Sequence, residues 1–332
     1  MSLSLFNPFE TLHFEEKTCF LTGEDLTSEE QKISVFPAWI LDRFSLREQK
    51  FKMIDNVTGI RYSDLQLPCS DKVKAAFEQL DSEIKMAIES GTGAIKKVPQ
   101  EHLFLWMGRF VYGVLYHDLV LAISRSKKRA GAKDFQLSPA LKLKFSKFHL
   151  MLQSLLVPME FKGERPWSIA IVNLKYSKDI FNYKDEPTNL NFSLGLNGSG
   201  IIACLQDNGV VAKKEEDLLK KIGAQTLHPI QFEELSARFL YDNYLLKNRG
   251  QNRISIEEDK VIIESFVPEE KTGEPIFASW DDDMFAQVLA GYWEPWGFTK
   301  KDIINFPDSP ISFLENDFTH DFTKPESIEL PF

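Results

Sequence analysis

The chain is 332 residues long, 43% hydrophobic and 27% charged, which is ordinary for a globular protein and long for one domain, so two or three subdomains are expected. No apolar run reaches the roughly 18–20 residues that span a bilayer, and Met1 to Glu10 lacks a basic region followed by an apolar one, so neither a membrane span nor a secretory signal is expected. A net charge of −10 opposes nucleic-acid binding by the surface as a whole, and three widely spaced cysteines make no disulfide framework, as in a cytoplasmic protein with reduced thiols.

In chain order, Phe6 to Phe14 reads as loop or short strand, Cys19 to Leu26 as a hairpin turn, and Phe36-Pro37-Ala38 as the opening of a short helix. Phe51 to Leu67 suits a hairpin turning at Asn56-Val57-Thr58-Gly59. Val73, Phe77, Leu80, Ile84 and Ile88 recur at helical spacing, predicting an amphipathic helix ended by Gly91. Leu103 to Ile123 is apolar on nearly all sides, interrupted by Arg109, His117 and Asp118, which predicts a helix buried between other elements. Arg125 to Lys133 reads as a basic loop, and Ser138-Pro139 as the cap and first residue of a helix running to about Leu156. Trp167 to Gln206 reads as sheet, with Asn197-Gly198-Ser199-Gly200 as the hairpin signal. A helix from Phe232 to Asn248, a hairpin over Arg253 to Phe266 and a helix behind Asp281-Asp282-Asp283 follow. The Pro-rich acidic stretch from Trp296 onward is expected to drape over the surface.

The most informative local pattern is Cys19-Phe20-Leu21-Thr22-Gly23, followed by Ser34-Val35-Phe36-Pro37-Ala38-Trp39-Ile40 and then by Leu67-Pro68-Cys69, with Lys72 three residues on. A zinc knuckle needs two thiolates on a tight turn, and the glycine after the second lets the turn close on the metal. Order and spacing resemble the HNH/treble-clef nuclease-like proteins, in which C-x-x-C-G precedes E-H-V-(F/I)-P-x-W-L and then P-x-C-x-x-C-N. The resemblance covers residues 15 to 91, and Trp106-Met107-Gly108-Arg109-Phe110-Val111-Tyr112-Gly113 extends it, since relatives carry a W-x-x-(K/R)-x-x-Y-G-like helix there. It implies that Cys19, Thr22, Cys69 and Lys72 occupy former metal-ligand positions, that Ser34 stands where the family has its catalytic histidine, and that Asp81 or Glu83 replaces a helical glutamate. With two thiolates lost and serine unable to act as a base near neutral pH, neither a bound metal nor nuclease activity is expected, and no cofactor is implied. Cys19 and Cys69 are expected to lie near each other as relics of one site.

The resulting expectation is an α+β fold. It has a metal-free treble-clef-like N-terminal part (1–95), a helical middle (96–160) and a mixed C-terminal part (161–332) with antiparallel hairpins and an acidic tail. Charge is uneven: residues 101–150 carry nine cations against three anions, and residues 251–332 six against eighteen. Arg125, Lys127, Lys128, Arg129 and Lys133 are the phosphate-contacting candidates. The first functional expectation is a non-catalytic binding protein contacting nucleic acid or a protein partner through the basic 125–147 segment. The second is an enzyme, a hydrolase, with its site near His117 or His149 beside Asp118. The run Asp281-Asp282-Asp283 is read as satisfying a helix N-terminus in preference to holding a cation.

Overall fold

The computed structural model describes residues 5–12, 14–128, 135–176, 180–247, 251–266, 275–305, 308–316, 319 and 321–328. The fold is α+β with antiparallel hairpins and a helical middle. The first half carries β1 (Lys32–Ser34), α1 (Ala38–Arg43), β2 (Lys50–Lys52), β3 (Gly59–Arg61), β4 (Gln66–Pro68), α2 (Asp71–Ser90), α3 (Thr92–Ile95), α4 (Gln100–Lys128) and α5 (Pro139–Leu152). There follow β5 (Met159–Gly163), β6 (Ser168–Leu174), β7 (Phe181–Glu186), β8 (Asn191–Leu196), β9 (Ser199–Cys204), α6 (Val210–Lys214), α7 (Glu216–Ile222), β10 (Thr226–Leu227) and α8 (Pro229–Leu245). The last elements are β11 (Gln251–Ile256), β12 (Val261–Phe266), α9 (Asp282–Trp293) and α10 (Lys300–Ile303). The chain divides into two compact units, one of residues 1–86, 98–160 and 254–263, the other of 87–97, 161–253 and 264–332. Among the described residues no helix is long and apolar enough to cross a membrane.

In the first unit, β1 and β4 pair antiparallel, with Ile33 opposite Leu67 and Ser34 opposite Gln66. The predicted hairpin at Asn56 forms as β2 against β3, Phe51 facing Ile60. The apolar stripe of α2 places Val73, Phe77 and Ile84 fully inside. On α4 every residue from Leu103 to Tyr116 is buried, as a helix apolar on all sides requires. Two glycines let neighbours approach its backbone: a side chain at Gly108 would strike Leu152 Cδ2 at 2.5 Å, and one at Gly113 would strike Val35 Cγ2 at 2.4 Å. Ser138 caps α5, its side chain accepting from Leu141 N–H (3.3 Å), with Pro139 at the first helical position. One expectation is revised: Arg125, Lys127 and Lys128 are not loop but the last turn of α4. Cations at that end meet the negative pole of the helix, so the basic run prolongs the helix that apolar periodicity alone would end.

The second unit is built on a five-stranded sheet of order β10-β6-β9-β8-β7, antiparallel except for the parallel β10–β6 pair. Its β8–β9 hairpin turns on Asn197 (φ +47°) and Gly198 (φ +76°), two left-handed residues in succession, the pair that a two-residue turn matched to strand twist demands. Phe232, Leu235 and Phe239 of α8 cover the sheet with Val172, Ile202 and Cys204 in one core cluster. Asp281 caps α9, accepting from Met284 N–H (3.0 Å), and Asp282 and Asp283 lie in its first turn at the positive pole of the helix. The acidic tail, expected on the surface, instead enters the core: Leu314 is fully buried. The cause lies on α8, whose buried Gln231 and Glu234 need partners. The Glu234 carboxylate accepts from Ser312 Oγ (2.6 Å) and from the backbone N–H of Phe313 (2.7 Å) and Leu314 (3.1 Å). Gln231 Nε2 donates to the Phe313 and Thr323 carbonyls, both at 2.8 Å.

Candidate functional site

The Cys19 turn and the Cys69 segment meet in space. Gly23, at φ +74°, turns the chain so that its N–H donates to the Cys19 carbonyl (2.9 Å) and Cys19 N–H to the Glu24 carbonyl (2.8 Å). Phe20 N–H donates to the Pro68 carbonyl (2.8 Å), which sets the Cys19 turn against the Cys69 segment. Both thiols are fully buried, and burial together with the neighbouring Cys19 pushes the Cys69 thiol up to about 12. Thr22 and Lys72 do not join the two thiols. Thr22 Oγ1 accepts from Glu24 N–H (3.4 Å), and Lys72 is exposed in the first turn of α2. Zinc requires thiolates or other unprotonated donors, so a Cys69 thiol held protonated by burial, with a hydroxyl at Thr22 and an outward ammonium at Lys72, does not fit it. Among the described residues no three His, Cys, Asp or Glu side chains gather as a metal site would need. The Ser34 hydroxyl is buried on β1 with no hydrogen-bond partner among the described residues.

Beside the Cys19 turn lies a buried imidazole. His149 of α5 is fully buried, and its Nε2–H donates to the Phe20 carbonyl at 2.7 Å; a carbonyl only accepts, so this nitrogen carries the proton. Its Nδ1 accepts from Gln153 Nε2 at 3.3 Å, and Gln153 also clasps Phe6, accepting from its N–H (3.0 Å) and donating to its carbonyl (2.8 Å). Burial lowers the His149 pKa to about 4. Both ring nitrogens are engaged, which leaves none to serve a reacting group. The Trp106-to-Gly113 pattern has a structural meaning of the same kind. Asp81 of α2 accepts from Trp106 Nε1 (3.1 Å) and from both terminal nitrogens of Arg109 (2.7 and 3.0 Å), while Tyr112 packs on Phe20 and Gly113 makes room for Val35.

Open space lies beside this core, along the outer stripe of α4. Two recesses border that stripe and share Phe14 and Val120. The larger, about 630 Å3, is lined by Thr11, Leu12, Phe14, Val120, Ile123 and Ser124, with Lys127, Lys128 and Glu15 at its rim. The smaller, about 320 Å3, meets Tyr116, His117, Gln66, Asp64, Lys32 and Glu16. Both volumes lie in the range of small-ligand sites. His117 Nε2–H donates to the Gln66 carbonyl (3.0 Å), and burial lowers its pKa, so the imidazole is neutral at pH 7. Asp118 is raised to about 6, chiefly by burial, and accepts from Ile54 N–H (3.3 Å).

Of the five phosphate-contacting candidates, Lys127 and Lys128 stand at the larger recess. Arg125 turns elsewhere, its Nη2 binding Asp55 Oδ2 (2.7 Å) and Thr58 Oγ1 (2.6 Å) at the β2–β3 turn. Arg129 and Lys133 lie outside the described residues. Sequence reasoning missed Thr11, Phe14 and the recesses themselves, although the half-buried stripe from His117 through Ser124, ending at the exposed Lys128, was readable at helical spacing. Compared with known protein families, with curated proteins and with solved structures, the chain matches none.

Proposed function

We propose that this chain is a non-catalytic binding protein, derived from an HNH-like nuclease, that holds a single-stranded nucleic acid along the outer stripe of α4. The observation that carries the reading is the pairing of Lys127 and Lys128 with the half-buried Phe14 around one recess. Cations for a phosphate next to an aromatic face for a base are what strand binding without a duplex requires. The derivation is supported by the Cys19 turn and the Cys69 segment, which meet as the two halves of a knuckle meet. Loss of catalysis is supported by Ser34 at the histidine position and by the engaged nitrogens of His149. The net charge of −10 is no obstacle to a local site, because the cations cluster around one end of α4.

The test is fluorescence anisotropy with a labelled octauridylate at 50 and 200 mM salt. Two phosphates on two lysines give a slope of log K against log salt near −1.4, from about 0.7 per contacted phosphate of a single strand. The charge reversals Lys127→Glu and Lys128→Glu abolish binding. Absence of binding at low salt, or binding with no salt slope, overturns the reading. A hydrolase centred on His117 is the second reading, favoured by its neutral imidazole at the smaller recess. It predicts strand cleavage by the native chain that His117→Gln removes.

A further inference from the structure

A different kind of surface is carried by the three-stranded sheet of order β11-β12-β5. β12 is the middle strand, so β11 is an edge, with a row of backbone groups that its own sheet does not pair. Arg253 to Ile256 are exposed on both faces of this strand, and Glu257 just beyond it is exposed too. Ile254 (37% exposed) and Ile256 (58%) lie on one face and Arg253 and Ser255 on the other, as alternate residues of a strand do. Edge strands are commonly protected by proline, by lysine or by a covering segment. This one carries isoleucine and is open, which makes it a template for another strand.

Which backbone groups face outward follows from the turn. Glu257 N–H donates to the Lys260 carbonyl (2.9 Å), so this pair bonds within the hairpin. Val261 N–H donates the other way, to the Pro158 carbonyl (2.9 Å) ahead of β5. Ile256, opposite Val261, is therefore not bonded across the hairpin. Bonded and non-bonded pairs alternate along an antiparallel ladder, so Arg253 and Ser255 address β12 while Ile254 and Ile256 turn their N–H and C=O groups away from the sheet. A further antiparallel strand can bond only through those outward residues, which limits how β11 can pair with itself. With Ile254 opposite Ile256 of a second copy, the two-fold axis passes through Ser255 and Arg253 falls opposite Glu257. A shift one way sets Arg253 against Ser255, and a shift the other way sets Ile254 against Glu258. The centred register alone matches apolar with apolar and cation with anion.

We infer that β11 is the contact surface of a two-fold symmetric dimer, in which the edge strands of two copies of this chain pair antiparallel about Ser255. Ile254 exchanges both backbone bonds with the partner subunit's Ile256, and Arg253 faces the partner subunit's Glu257. Symmetry makes each of these pairs occur twice, as a self-complementary interface requires. A contact this short lies below the standard interface size, so the dimer is weak, with a dissociation constant on the order of 100 µM. The inference is independent of the strand-binding reading above.

The experiment is sedimentation equilibrium of the full chain from about 5 to about 500 µM, a range that brackets a weak interface. The native chain is expected to shift from monomer to dimer across it. Arg253→Glu sets glutamate against glutamate and Glu257→Arg sets arginine against arginine, so each variant alone dimerises about tenfold more weakly. Lys260 remains held by Glu160 (2.6 Å) in both variants, so the turn keeps its anchor. Mixing the two variants restores the dimer, because every charged pair across the axis is then opposite in sign, and recovery on mixing also shows that both variants are folded. Ile256→Pro removes an outward N–H that the hairpin itself does not use, and leaves a monomer. A chain that stays monomeric throughout the range overturns the inference. So does a dimer that neither charge reversal weakens, or one that mixing fails to restore.

Discussion

The burial of His149 makes the first unit acid-sensitive, by an amount that follows from the structure. The perturbation is a change from pH 7 to pH 5. A histidine in the unfolded chain titrates near 6.5, whereas His149 in the fold is held at about 4 because its site excludes water. A depressed folded-state pKa gives stability that is fully present above the unfolded value and is lost as pH falls through the window from 6.5 to 4, since only the unfolded chain takes the proton. Integrated from pH 7 to pH 5, the loss is about 2 kcal/mol, and it approaches about 3 kcal/mol below pH 4. His149→Gln keeps a donor for the Phe20 carbonyl and removes the titrating group. The variant starts about 1–2 kcal/mol less stable at pH 7, through lost packing among Phe6, Phe9 and Tyr112, yet carries a flatter pH slope. Urea unfolding at both pH values, with peptide-resolved hydrogen exchange over residues 15–25 and 140–155, measures it. Equal slopes for the native chain and His149→Gln would refute the argument.

Three further outcomes follow from other parts of the molecule. Arg109→Ala leaves the Asp81 carboxylate with Trp106 Nε1 but without its counter-ion and costs about 3–5 kcal/mol in the first unit, read by urea midpoint, since Arg109 is fully buried. Native protein purified without chelator carries no stoichiometric zinc by plasma mass spectrometry, and its three thiols, all fully buried, resist an aromatic disulfide reagent until denaturant is added. The second unit answers pH in the opposite sense. Burial raises Glu234 to about 7 and Asp207 to about 6, and burial with the neighbouring Glu215 raises Asp242, so stability present at low pH is lost as pH rises from about 4 toward 7. Hydrogen exchange over α8 therefore slows from pH 7.5 to pH 5.5, while exchange around Cys19, corrected for intrinsic rate, quickens.

What the sequence disclosed depended on how locally each signal was written. The stripe of α2, the all-round burial of α4, the Ser138 cap and the Asn197-Gly198 turn each rest on a few neighbouring residues, and each forms in the structure. The meeting of Cys19 with Cys69, fifty residues apart, was readable only because the order of short motifs resembled a known pattern; no periodicity encodes it. β7 falls within the stretch read as sheet but could not be picked out as a strand, because Phe-Asn-Tyr-Lys-Asp-Glu has no clean alternation, being an edge strand half-buried along its length. The tail from Trp296 read as surface because its partners, Gln231 and Glu234, are polar residues of a distant helix whose need for hydrogen bonds is invisible in composition. The recesses beside α4 were hidden for the same reason: Thr11 and Phe14 reach them from a segment with no regular structure.

On the reading proposed above, these observations explain how a knuckle persists without its metal. Zinc does two things in such a site: it ties two turns together, and it repays the ordering of short loops that bury little surface. Here the tie is made by backbone bonds from Phe20 to Pro68 and from Cys69 to Gln31 (2.9 Å), with His149 closing on the Phe20 carbonyl from α5. The repayment comes from apolar burial, since Phe20, Leu21, Val35, Phe36, Ile40 and Leu41 are all within the core of the unit. At roughly 2 kcal/mol for each large side chain taken out of water, six such residues offer about as much as the ~10 kcal/mol a structural zinc supplies to a small peptide. A thiolate in that setting would be a charge without a counter-ion, so once the core had closed, the neutral hydroxyl of Thr22 cost less than the ligand it replaces. Retention of Cys19 and Cys69 fits the same logic: buried away from water, a cysteine is a small apolar side chain.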